Sequence, residues 1–249
     1  MKPLILIDGS SWLFRAFFAQ PTQMTNAAGE PTGAVFIMTT MLKRLLKDYA
    51  PERIAVIFDP PGPTFRNELY AEYKANRDET PEELKQQFPR VIELIEAMGL
   101  PVLQVPGVEA DDVIGTFAIQ ARKQGLPVLI ITADKDMAQL VDGGVQLLDT
   151  MKNRTLDAAA VKEKFGVPPE RIVDYLALMG DSSDNIPGVA GVGEKTAAKL
   201  LNEYGSLDAL VARAGEVKGK LGDNLRAALS ELPLYRQLTT IRCDLKLKE

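Results

Sequence analysis

The chain has 249 residues, 46% hydrophobic and 25% charged, the composition of an ordinary water-soluble globular protein. It holds no histidine and one cysteine, Cys243, which excludes Ser-His-Asp and Cys-His catalysis, histidine-held metals, a Cys-based zinc site and a disulfide framework. The net charge of −5 argues at first against a polyanionic ligand, but the distribution of the charges matters more than their sum.

The apolar run 3–7 reads as a buried strand, entered from Met1-Lys2-Pro3 without a signal-peptide pattern and ending at Asp8. A helical pattern covers 33–48, and a second strand, 54–58, ends at Asp59. The stretch 60–81, PPGPTFRNELYAEYKANRDETP, is long, basic and aromatic and fits no plain doubly wound domain. Beyond it come a helix over 82–98, a strand over 101–105, a helix over 110–124, and strands over 127–132 and 145–148. Gly99-Leu-Pro101 and Gly125-Leu-Pro127 each stop a helix and start a strand. Such alternation means βαβ units and a parallel sheet. From 157 onward the patterns are helical, over 157–165, 170–180, 193–204, 206–213 and 222–230, and strand signal returns only in the tail. The expected fold is therefore α/β, a mostly parallel sheet flanked by helices, carrying a C-terminal helical part. No apolar run is long enough to span a bilayer, so a cytoplasmic protein is expected.

Nine carboxylates fall into five clusters: Asp8, Asp59, Glu109 with Asp111 and Asp112, Asp134 with Asp136, and Asp181 with Asp184. Three clusters follow the ends of strands, where open parallel sheets place their ligands. Taken singly, Asp8 and Asp59 read better as helix caps, and an Asx-turn could use Asp181 or Asp184. Jointly, one cation site explains what would otherwise need five separate capping accounts. So many negative charges converge only if cations neutralise them, and an all-oxygen set selects Mg²⁺ or Mn²⁺. Two such ions are the usual apparatus for hydrolysing phosphodiesters. With these nine set aside, the remaining acids are outnumbered by Lys and Arg, so a nucleic-acid ligand is permitted.

Two further stretches bear on that ligand. Arg66, Tyr70, Tyr73, Lys74 and Arg77 recur at three- to four-residue spacing as one basic-aromatic helical face, standing over the acids that follow Asp59. In isolation a solvated surface helix is the favoured reading of them. The turn Ile186-Pro-Gly-Val-Ala-Gly-Val-Gly-Glu-Lys-Thr196 opens a helix, and its glycines permit close approach of a phosphate to backbone N–H groups. Its spacing is not that of a P-loop. Trp12, Phe14, Phe17 and Phe18 read as core or pocket wall.

ILIDGSSWLFRAFFA, GEPTGAVF, AVIFDPPGPTFRNELYAEYKANR, GVEADDVIGT, TADKDMAQLV and LALMGDSSDNIPGVAGVGEKTA together resemble, over the whole chain, the 5′ nuclease domain of bacterial DNA polymerase I and the wider flap endonuclease family. Ala133 and Trp12 stand where that family more often has Gly and Tyr. The resemblance implies a PIN-like nuclease core over 1–170, an arch insertion at about 60–90 and a DNA-binding region over 171–249 with a helix-three-turn-helix at about 186–204. It implies that all nine acids are metal ligands or neighbours of ligands, and that Lys74 and Arg77 meet the scissile phosphate. DNA contacts are expected from Arg15, Arg66, Tyr73, Gly188, Val189, Gly191, Val192, Gly193, Lys195 and Thr196, with K⁺ at the helix-three-turn-helix. The expected substrate is DNA with a 5′ flap, overhang or nick, or an RNA primer end. A monomer near the nucleoid, linked to or working with a polymerase, is expected. A non-catalytic DNA-binding module and a PIN-type ribonuclease are the competing readings.

Overall fold

The computed structural model describes residues 1–20 and 24–247. A six-stranded sheet is built from β1 (Leu4–Asp8), β2 (Arg53–Ile57), β3 (Val102–Leu103), β4 (Val128–Ile131), β5 (Val145–Asp149) and β6 (Arg154–Leu156) in the order β3-β2-β1-β4-β5-β6. β1 to β5 run parallel and β6 returns antiparallel to β5, pairing Arg154 with Asp149. β1 lies between β2 and β4, so Asp8 ends the centre of the sheet, with Asp59 to one side and Asp134 to the other.

Alternation of side chains along each strand divides the core. Ile5, Ile7, Val56, Phe58, Leu129 and Ile131 face α1 (Gly9–Phe18), α2 (Gly33–Tyr49) and α4 (Glu82–Ala97). Leu6, Ile57, Val128, Ile130 and Leu147 face α5 (Ala110–Lys123) and, through it, the C-terminal helices. Those helices include α7 (Ile172–Met179), α8 (Glu194–Tyr204), α10 (Gly219–Ala227) and α11 (Leu232–Thr239). Their Tyr175, Leu201, Leu225 and Leu238 belong to the same buried cluster as Leu6, so the helical part shares a core with the sheet.

Four local expectations change. The third strand shrinks to two residues because Pro101 and Pro106 bracket it and cannot donate to a ladder. β6 and α11 were not legible in the sequence, and the tail beyond Thr240 is an extended strap rather than a strand. The residues from Arg66 to Arg77 do not share one continuous helical face. The stretch 60–81 holds α3 (Phe65–Leu69), then turns, with Lys74 in the left-handed region at φ 57°.

Candidate metal centre and nucleic-acid interface

Most of the acids do cap a helix or close a turn, and this is what aims them. Asp8 caps α1 by accepting the Ser11 N–H at 2.9 Å, while its other oxygen accepts the Thr132 hydroxyl at 2.8 Å. Asp59 accepts the Ala110 N–H at 2.9 Å, tying the end of β2 to the first turn of α5. Asp134 accepts the Asp136 N–H at 2.8 Å and Asp181 accepts the Ser183 N–H at 2.7 Å. In Asp59 and Asp134 one oxygen is anchored and the other is left to the cluster, whereas the second oxygen of Asp181 takes the Lys135 ammonium. Capping and metal binding are thus successive uses of one carboxylate.

The charges interact as two overlapping groups. Burial raises the Asp8 carboxyl to about 7, against bonds from Ser11 and Thr132 that favour its ionised form, and Asp134 and Asp59 push it further. Burial also lifts Asp111 well above the carboxylate range, with Asp134, Asp8, Asp59 and Glu109 adding repulsion. Asp136 is raised by burial and then by Asp134, Asp181 and Asp184, with Lys135 opposing. Asp134 belongs to both groups.

Cations of the chain itself hold the rim. Lys74 Nζ donates to Glu109 at 2.5 Å and Arg77 Nη2 to Asp184 at 2.7 Å. Lys135 donates to Asp181 and lies 3.8 Å from Asp136. The segment carrying Lys74 and Arg77 is zipped to the loop after α7: the Lys74 N–H donates to the Asp184 carbonyl, Asn76 to that of Ser182 and Arg77 to that of Ser183. A cleft of about 620 Å³ opens here, lined among others by Phe14, Asp59, Lys74, Arg77 and Glu109. Phe14 is its wall and Trp12 is core, as expected, whereas Phe18 is 68% exposed.

The structure revises the readings of Asp112, Arg66 and Tyr73, and those of Gly188, Val189 and Val192 in the turn between α7 and α8. Asp112 is fully buried and saturated: Arg66 donates to both its oxygens at 2.7 and 2.8 Å, and the N–H groups of Glu109 and Arg242 donate at 3.0 and 2.8 Å. It fixes the first turn of α5 and has no free oxygen for a metal. Arg66, only 2% exposed, also donates to the Leu238 and Thr240 carbonyls, so it clamps the tail to α5 and offers nothing to DNA. Tyr73 is buried likewise, its hydroxyl 3.0 Å from both Glu109 and Asp184. Spacing alone could not separate these two from Lys74 and Arg77.

In the turn between α7 and α8, Gly188 is buried, with φ 64°, and a Cβ there would meet the Gly180 backbone nitrogen at 2.3 Å. Its freedom serves packing. Val189 and Val192 are buried and their N–H groups donate to the Leu178 and Val189 carbonyls, so neither reaches a phosphate. Gly191 and Gly193 are exposed, and among the described residues their N–H groups have no backbone or side-chain acceptor. Lys195 is exposed and Thr196 half-buried in the first turn of α8. Arg15 is half-buried and pairs with Asp149 at 3.0 Å. Sequence reasoning missed Thr132, Lys135 and the strap at 238–242. Lys135 was detectable as the residue between two acids; the strap leaves no pattern.

For a divalent cation the donors fit: every one is an oxygen, and Asp136 Oδ1 is buried without a hydrogen-bond partner. Among the described residues no three acids form a ready cage. Asp8, Asp59, Glu109 and Asp111 can serve one ion, and Asp134, Asp136, Asp181 and Asp184 another.

Carboxylates gathered on the crest of a parallel sheet, faced by cations at the mouth of a cleft, suit hard divalent cations beside a phosphate-bearing ligand. The chain belongs to the 5′-3′ exonuclease family of nucleases: the N-terminal resolvase-like domain of that family matches residues 3–166 and its C-terminal SAM fold matches 167–249. It is 51% identical to DNA polymerase I of Pseudomonas aeruginosa over 98% of its length, and spans 28% of that relative. Among solved structures it matches T5 5′-exonuclease with bound zinc at TM-score 0.78 and 26% identity, covering 95% of this chain and 88% of that one. It matches the T5 D15 flap endonuclease in a pseudo-enzyme–product complex with DNA and metal ions at TM-score 0.78 and 27% identity, covering 96% and 89%. Among the described residues no helix is long and apolar enough to cross a membrane.

Proposed function

We propose that this chain is a divalent-metal-dependent, structure-selective 5′ nuclease that hydrolyses phosphodiesters near single-strand/duplex junctions in DNA replication and repair. The observation that carries this reading is the crest itself: acids at three adjacent strand ends, faced by Lys74 and Arg77 across one cleft. Mg²⁺, or Mn²⁺ in its place, would activate a water and stabilise the departing oxygen when bound. Lys74 and Arg77, now paired with Glu109 and Asp184, exchange those carboxylates for the reacting phosphate and offset its growing charge. Thr132 orients Asp8, and the Arg66–Asp112 fork orients Glu109 and Asp111. The free N–H groups of Gly191 and Gly193, with Lys195 and Thr196, hold a duplex phosphate away from the chemistry, and a K⁺ ion at that turn belongs to the same proposal. The relatives' name points to a polymerase region as the working partner.

Incubation with end-labelled 5′-flap DNA tests the reading. Cleavage with Mg²⁺ leaving 5′-phosphate and 3′-hydroxyl ends, and none with chelator, is expected. Cutting at the normal rate in chelator would overturn it.

A further inference from the structure

The crest has two flanks. On the β2–β3 side lies the cleft of Lys74 and Arg77. On the other, beyond Asp134, a pocket of about 280 Å³ opens among α1, the β5–β6 hairpin and α6 (Ala158–Phe165). Arg15, Lys152, Arg154 and Lys164 line it, over Phe165 and Leu156. Two acids line it as well: Asp134, at the edge shared with the crest, and Asp149, whose Oδ1 takes Arg15 at 3.0 Å and the Met151 and Lys152 N–H groups. Among the described residues Lys152, Arg154 and Lys164 make no salt bridge. Lys164 lies 4.7 Å from the centre of the Phe165 ring. Burial lowers its pKa, and Arg154 and Lys152 lower it further, so these cations repel one another. A chain with net charge −5 that crowds unpaired cations into one concavity has built an anion site.

We infer that this pocket binds a phosphate group, that of a DNA strand lying across the crest from the Lys74–Arg77 cleft to the β5–β6 hairpin. The strand order carries the inference. Asp59, Asp8 and Asp134 end three adjacent strands, so a backbone centred on Asp8 meets cations on either flank. The inference rests on the nuclease reading for the source of the phosphate. The pocket's chemistry also admits a free nucleoside monophosphate, the kind of product an exonuclease releases.

The test uses the full chain and the variant Lys152→Gln/Arg154→Gln/Lys164→Gln. All three side chains are exposed, so the fold is retained. A control, Lys43→Gln/Lys47→Gln/Lys123→Gln, removes the same charge from helix surfaces near the amino ends of the strands. Binding of fluorescent 5′-flap DNA is measured in EDTA against salt, and binding of thymidine 5′-monophosphate by calorimetry. Loss of this phosphate contact weakens DNA binding by about threefold or more and lowers the log–log salt slope by about one, with the control near wild type. Monophosphate heat that the pocket variant loses assigns the pocket to free nucleotide as well; its absence assigns the pocket to the strand alone. An unchanged pocket variant, or a control that weakens binding as much, overturns the inference while wild-type cleavage of the flap leaves the nuclease reading standing. Failure of wild type to cut would strike that reading instead.

Discussion

Two kinds of ion pair hold the same acidic crest, and they differ in burial. The Arg66–Asp112 fork is sealed, with side chains 3% and 0% exposed, and every donor and acceptor near it is used. The Arg77–Asp184 pair is open, its arginine side chain 53% exposed, and Lys74–Glu109 lies between these extremes. A sealed pair cannot exchange partners without leaving a charge in the core. An open one can, at little cost, because water screens both states. One set therefore positions the acids and the other remains available to a substrate.

The largest effect expected from this contrast is on stability. Arg66→Ala leaves Asp112 buried and unpaired and frees the strap at 238–242 from α5. A loss of about 3–5 kcal/mol is expected, the range for breaking a buried pair from one side. Chemical denaturation would measure it. Asp112→Ala should behave alike, the reverse of what a metal ligand does. If either variant unfolds like wild type, the fork is not a structural clamp.

The sheet and the nine acids were legible because parallel strands buried on both faces are written as unbroken Val/Ile/Leu runs, and the acids stand where those runs stop. Assigning roles within the acids needed coordinates. Asp111 and Asp112 are neighbours, yet one faces the cluster and the other is saturated by a tail 130 residues later in the chain. Arg66 and Arg77 are equally basic on paper. One lies in α3 beneath the strap, and the other follows the left-handed turn at Lys74 that swings the chain onto the loop after α7. Contacts made by distant segments leave no local periodicity to read.

The open pairs predict kinetics rather than stability. Lys74→Ala still leaves Glu109 its bonds from Arg66 and the Tyr73 hydroxyl, so stability should move by no more than about 1 kcal/mol. Removing Lys74 or Arg77 should slow single-turnover cleavage by roughly a hundredfold, the scale of one preorganised charge stabiliser. Affinity for flap DNA should change by only about threefold, since each is one of several phosphate contacts. Collapsed binding with a normal saturated rate would make this rim a landing surface instead.

The smallest effect on stability concerns acids held by neither kind of pair. Asp134 is hydrogen-bonded through one oxygen to the Asp136 N–H, and among the described residues no Lys or Arg bonds to its side chain. It is also a source of the repulsion that lifts Asp8, Asp111 and Asp136. Asp134→Asn keeps an amide oxygen for the Asp136 N–H and removes the charge. In chelator the variant should gain about 1 kcal/mol, which for a chain of this size raises the melting temperature by about 2–4 °C. Magnesium should reverse the order: an ion that binds the folded state stabilises it in proportion to its affinity, and the asparagine variant binds less tightly. Cleavage should fall below detection. Melting curves in chelator and in Mg²⁺ separate the possibilities, because a purely structural aspartate would lose stability on substitution in both. A variant that melts below wild type in chelator would place Asp134 with the sealed fork and leave the second group of acids without its link to the first.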